Sequence, residues 1–224
     1  MLGELRHGMW KYGVLEDGSA VITSAMVTVG DRDVIVPPVI EGHPVTALGE
    51  YCFFGDELVR SVIVPSTVTR IDVACFEKCA SLVRVTLPES VQIIPERCFE
   101  GCVKLVSIEA PGLRSIGMLA FFGCTSLLEA PLIEGIVGIG EAAFCGCEEL
   151  EHVRIPNSCQ HLGDVSFGRC ANLQSVVIGT GLPSIPSSCF EWCRHLERID
   201  APHLKELDDW ALIDCVALRS LDLG

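Results

Sequence analysis

Two phrases of the chain, CFEKC (Cys75 to Cys79) and CFEGC (Cys98 to Cys102), each set two thiols four positions apart, and the second follows the first by 23 residues. Thiols at such spacing could ligate zinc, close disulfides or supply a thiolate nucleophile. Cys75, Cys79, Cys98 and Cys102 form the best metal candidate, yet their spacing is also what a repeating unit would produce by itself. Thirteen cysteines is an odd number in a chain of 224 residues, too long to need disulfide staples. The count favours reduced thiols in an intracellular compartment. Cys145 and Cys159 stand outside the repeating positions, and these two are the thiols expected to be most reactive.

Other chemistry-bearing patterns fail on inspection. GIGEAA (Gly138 to Ala143) has the glycine spacing of a dinucleotide loop, but no crossover helix follows for a pyrophosphate to cap. GDVSFGRC (Gly163 to Cys170) has the glycines of a phosphate loop, with Arg169 and Cys170 where lysine and serine or threonine are required. The six histidines, His7, His43, His152, His161, His195 and His203, make no metal-ligand motif and pair with no nucleophile. No catalytic constellation is visible, so no enzyme, no cofactor and no metal are expected.

The cysteines make sense once the chain is read as an array. Aliphatic residues at Leu48, Ile71, Ile94, Ile116, Ile139, Leu162, Ile185 and Leu207 open eight units of 22 or 23 residues. The fifth residue after each start is phenylalanine from Phe53 through Phe190, and Leu212 in the last unit. The eighth is Asp56, then Cys79, Cys102, Cys124, Cys147, Cys170, Cys193 and Cys215, a structural cysteine ladder in which each thiol acts as a small hydrophobe with a weak donor. The fourth position takes Cys, Ala or Ser without distinction, which argues for packing over chemistry. From the second unit a leucine follows (Leu82, Leu105, Leu127, Leu150, Leu173, Leu196, Leu218) and opens L-x-x-V-x-L segments such as LVRVTL, whose spacing predicts one short strand per unit. A tight helical or irregular segment carrying Phe and Cys completes the unit. One unit cannot bury its apolar face alone, whereas stacked units bury a continuous core.

These motifs resemble leucine-rich repeats of the BspA-like class, and IGEAAFCGCEELEHVRIP (Ile139 to Pro156) is similar to the class signature almost throughout. YGVLEDGSAVIT (Tyr12 to Thr23) and VIVPPVIEGHPVTALGEYCF (Val34 to Phe53) are similar to the first module of that family. The expected fold is therefore an α/β repeat, a right-handed leucine-rich-repeat solenoid with a parallel β-sheet on its concave face. Residues 1–47 are expected to form an N-terminal β-hairpin cap and first module, and residues 48–224 eight repeats in one continuous domain.

In that solenoid three residues per strand face outward. They define the candidate partner-binding face: Ile63, Val83, Arg84, Val106, Glu109, Leu128 and Glu129 in the first four units, and His152, Arg154, Arg198 and Asp200 in the charged second half. Ile63, Val83, Val106, Leu128 and Pro131 are expected to align as an apolar stripe. Pro131 cannot donate to a strand ladder, so a local bend is expected in unit four.

The net charge of −14 and the lack of a basic run exclude nucleic acid as an expected partner. No apolar stretch reaches the length of a membrane span or a signal-peptide core, so no membrane insertion and a cytoplasmic location are expected. The expected function is a non-enzymatic protein-binding scaffold. The family resemblance implies an alternative, a cell-surface or secreted adhesin or antigen, and the cysteines leave open a thiol redox or metal-responsive protein. The last unit has no polar capping segment, so either the array continues or this end meets another chain, and self-association there is a further expectation.

Overall fold

The computed structural model describes residues 2–223. The chain begins with β1 (Leu2–His7), β2 (Trp10–Val14), β3 (Ala20–Ala25), β4 (Asp33–Ile35), β5 (Val39–Ile40) and β6 (His43–Leu48). It then alternates three- or four-residue strands with two-residue ones: β7 (Ser61–Ile63), β8 (Arg70–Ile71), β9 (Arg84–Thr86), β10 (Ile93–Ile94), β11 (Ser107–Glu109) and β12 (Ser115–Ile116). Unit four adds no longer strand. The alternation resumes with β13 (Gly138–Ile139), β14 (His152–Ile155), β15 (His161–Leu162), β16 (Ser175–Ile178), β17 (Ser184–Ile185), β18 (Arg198–Asp200), β19 (Glu206–Leu207) and β20 (Ser220–Asp222).

The longer strands form a front ladder of parallel pairs in two blocks, β4-β7-β9-β11 and β14-β16-β18-β20. The two-residue strands contain the unit starts and form a rear ladder in three pieces, β6-β8, β10-β12-β13-β15 and β17-β19, with Ile94, Ile116, Ile139 and Leu162 in register in the longest. Between the ladders lies the core. Its centre is a column of seven phenylalanines, Phe53 to Phe190, each ring 5.0 to 5.8 Å from the next and within 17° of parallel. The spacing follows from stacking one unit on the next at strand-pair distance, which leaves room for one flat ring per rung.

The structure corrects the α/β expectation: among the described residues there is no helix. The reason lies in the backbone between the rear strand and the cysteine. The third residue of every unit has a left-handed φ, from Tyr51 (57°) through Trp210 (58°), and so does the seventh, from Gly55 (67°) through Asp214 (59°). A left-handed residue every four positions ends each incipient turn. In unit two the N–H groups of Ala74, Phe76 and Lys78 donate to the carbonyls of Glu96, Cys98 and Glu100 in the next unit, at 3.0, 2.9 and 2.7 Å. A helix would have consumed those donors within the unit, and here they join units together.

The EDGS segment does turn a hairpin: β2 and β3 are antiparallel and Leu15 N–H donates to the Ser19 carbonyl at 2.8 Å. The hairpin is not a separate cap, however. β3 pairs in parallel with β6, placing Ile22 beside Leu48, so the N-terminal strands belong to the same sheet as the first rung of the rear ladder. The strand β6 itself runs through the 47/48 boundary expected between cap and repeats.

Candidate functional site

The outward side of the front ladder is built by a two-residue periodicity. In β7, Val62 turns inward and is buried, while Ser61 and Ile63 face out; Val85 in β9, Val153 in β14, Val176 in β16 and Ile199 in β18 repeat the inward position. Parallel register then stacks equivalent outward residues into columns. One column runs Asp33, Ser61, Arg84, Ser107, and resumes as His152, Ser175, Arg198, Ser220. The next runs Ile35, Ile63, Thr86, Glu109, and resumes as Arg154, Val177, Asp200, Asp222.

The expected apolar stripe therefore steps between neighbouring columns. Val83, Val106 and Leu128 follow one another along the face, linked by Val106 N–H to the Val83 carbonyl at 2.9 Å and Leu128 N–H to the Val106 carbonyl at 3.2 Å. Ile63 belongs to the neighbouring column, where its companion is Ile35, 70% exposed. Ile35 and the strand β4 that presents it were missed in the sequence. The signal was there: Val34 and Val36 alternate as Val62 and Val64 do, and all four are buried. Ile63 and Val83 meet in a shallow cavity of about 440 Å³ rimmed by Asp33, Arg60, Arg84 and Glu109.

The second half of the face is polar and internally paired. His152 Nδ1 lies 2.9 Å from Ser175 Oγ, Arg198 meets Asp200 at 3.5 Å, and Arg219 meets Glu197 at 3.6 Å. Glu129 is exposed beside Leu128 in unit four, where the two blocks of the front ladder part.

The cysteine ladder faces the other way, into the core. Each of its seven thiols donates to the carbonyl of the phenylalanine in the preceding unit: Cys79 to Phe53 and Cys102 to Phe76 at 3.0 Å, Cys124 to Phe99, Cys193 to Phe167 and Cys215 to Phe190 at 3.1 Å, and Cys147 to Phe121 and Cys170 to Phe144 at 3.3 Å. The eighth position therefore needs a small donor, and a buried thiol supplies one at little desolvation cost. Burial pushes the thiols of Cys98 and Cys124 well above the ordinary range. The two cysteines outside the repeating positions are no better activated. Cys145 and Cys159 are both buried, and burial raises Cys145 to about 11, against the lowering effect of Arg169, and Cys159 in the same direction.

Among the described residues no group of three or more His, Cys, Asp and Glu side chains is placed to hold a metal ion. GIGEAA also has a packing explanation: Gly138 lies in β13, and a Cβ on Gly140 would fall 2.5 Å from the Met118 backbone nitrogen of the unit before. The glycine permits two backbones to approach each other rather than a phosphate to approach one.

Comparison with known proteins agrees with this architecture. The model of the BspA type leucine rich repeat region matches residues 46–137 and 114–224 in six copies. A leucine-rich repeat protein of T. pallidum is 30% identical, over 97% of this chain and 91% of its own, with a TM-score of 0.71. A leucine-rich repeat protein of Bacteroides ovatus shares the fold at 21% identity, over 97% of this chain and 82% of its own, with a TM-score of 0.57. No curated protein matches the chain. From the two-ladder stack, the phenylalanine column, the thiol ladder and these matches together, the chain belongs to the BspA-type leucine-rich repeat family.

Proposed function

We propose that this protein is a non-enzymatic scaffold that binds other proteins through the outward face of its front ladder. The observation that carries the reading is the contrast between its two surfaces of chemistry. The seven ladder thiols point inward as donors to backbone carbonyls, an arrangement that supports a packing role over redox or metal sensing. The front face instead presents Ile35 with Ile63, and Val83 with Val106 and Leu128, as apolar patches bordered by Arg60, Arg84, Glu109 and Glu129. Apolar centres within a polar rim are what specific protein interfaces are made of.

The test is affinity capture from the source cells with wild type beside a Val83→Glu/Val106→Glu/Leu128→Glu variant, after both are shown to share a circular dichroism spectrum and melting temperature. Proteins captured by wild type and lost by the equally folded variant are the expected result. Identical capture by both would move the binding site off these patches and overturn the reading.

A further inference from the structure

This inference rests on the scaffold reading and narrows it to a place and a partner chemistry. We propose that the break in the front ladder at unit four receives an extended peptide segment of a partner protein that carries lysine or arginine.

The ladder stops there for a covalent reason. In the register of its neighbours, the residue opposite Glu109 in unit four is Pro131, which has no N–H to give to β11. The chain turns away instead, with Leu132 N–H donating to the Ala130 carbonyl at 2.7 Å in a three-residue turn. As a result β11 pairs only with β9 and β14 only with β16, and two strand edges flank a unit that has no front strand of its own. A cavity of about 440 Å³ lies on the β14 side, over Leu128 and Leu132, and one of about 570 Å³ on the β11 side, over Ile108 and Ile133. Extended peptides dock on such places by using strand edges for main-chain hydrogen bonds and apolar pockets for alternate side chains.

Charge selects the occupant. Glu109, Glu129, Glu149 and Glu151 line the two cavities and are exposed, and none of them forms an ion pair among the described residues. Arg154 is the one arginine in the lining. Further along the face Arg198 and Arg219 already have carboxylate partners, so the unbalanced negative charge is concentrated at the break. A cationic chain would meet complementary potential there, and an acidic one repulsion.

Fluorescence anisotropy with alternating Leu-Lys and Leu-Glu peptides of about nine residues, long enough to cross the site as a strand, tests this. The Leu-Lys peptide is expected to bind about tenfold or more tightly than the Leu-Glu peptide, and less tightly as salt rises. Glu129→Gln/Glu151→Gln should weaken it about fivefold or more, whereas the charge-matched Glu16→Gln/Glu206→Gln should not. Pro131→Val, which returns a donor to the ladder, should weaken it as well. Equal binding of both peptides, or equal loss in the charge-matched control, would overturn the proposal. If the front-face triple variant loses its cellular partners while the Glu129/Glu151 variant keeps both partners and peptide, the scaffold reading stands and this one falls.

Discussion

At the scale of the residue, the eighth position shows how one side chain serves two neighbours. Cys102 is buried and its Sγ–H meets the Phe76 carbonyl, so the thiol fills a tight corner and satisfies a backbone acceptor of the preceding unit. Cys102→Ala would leave that carbonyl without a donor and open a small cavity, with an expected loss of about 1 to 3 kcal/mol. Cys102→Ser keeps a donor at the position and should lose less. Urea denaturation of the two variants measures the difference, and a serine variant no more stable than the alanine one would refute the donor role. The position was legible in the sequence as a column of small polarisable residues. What the column bonded to was not, because the acceptor is a main-chain atom of another unit and has no signature in residue types.

At the scale of the element, the left-handed residues decide why these segments never become helices. Gly123 has φ 69° and an added Cβ would meet nothing within 4 Å, so Gly123→Ala isolates the backbone penalty and is expected to cost about 1 kcal/mol. Asp214, exposed at the equivalent position with φ 59°, should gain a smaller amount on replacement by glycine, because aspartate tolerates this region better than alanine and glycine loses more chain entropy on folding. Melting curves of both single variants check the pair, and shifts of the same sign would contradict it. The seventh position holds glycine in four units and Lys78, Arg169, Trp192 and Asp214 in the others, which hides the rule from a reader of residue types. Short strands were legible because their two-residue alternation is strict, and Pro131 announced a local bend in unit four, where the structure has a break in the ladder. The irregular segments were read as partly helical because left-handed residues other than glycine carry no mark in the sequence.

At the scale of the whole molecule, the thiols act together. For thiols that burial shifts, such as Cys98, Cys124, Cys145 and Cys215, the pKa in the fold lies above that of the unfolded chain, so the native state holds these protons longer than the unfolded state as pH rises. Stability from these groups is complete below the ordinary thiol pKa, and is lost as pH climbs from there toward the folded values, about 11 for Cys145 and about 12 for Cys215. Each of these shifted thiols lowers stability by at most about 1.4 kcal/mol per pH unit in that window. Several in one cooperative stack would exhaust the typical stability of a domain, about 5 to 15 kcal/mol, within a unit or two. The melting temperature should therefore be flat from neutrality to the ordinary thiol pKa of about 8.5 and fall steeply above it. A profile without that break, recorded by circular dichroism across alkaline buffers, would show that the thiols are not protected as a group.

The hydrogen bonds between units have a consequence for how such a chain can change length. At each boundary the turn segment sends its donors forward, as Leu119, Phe121 and Gly123 do to Glu141, Ala143 and Cys145. Except where Pro95 and Pro186 take the position, the rear strand sends its donors back, as Gly140 does to Ile116 and Gly163 to Ile139. The upper surface of a unit without those prolines thus complements the lower surface of the next, and residues 139–161 could be copied in place with these backbone bonds already specified. Growth by duplication asks the fold for no new chemistry, while Pro95, Pro131 and Pro186, each without an N–H for the preceding unit, mark units that would carry an interruption with them.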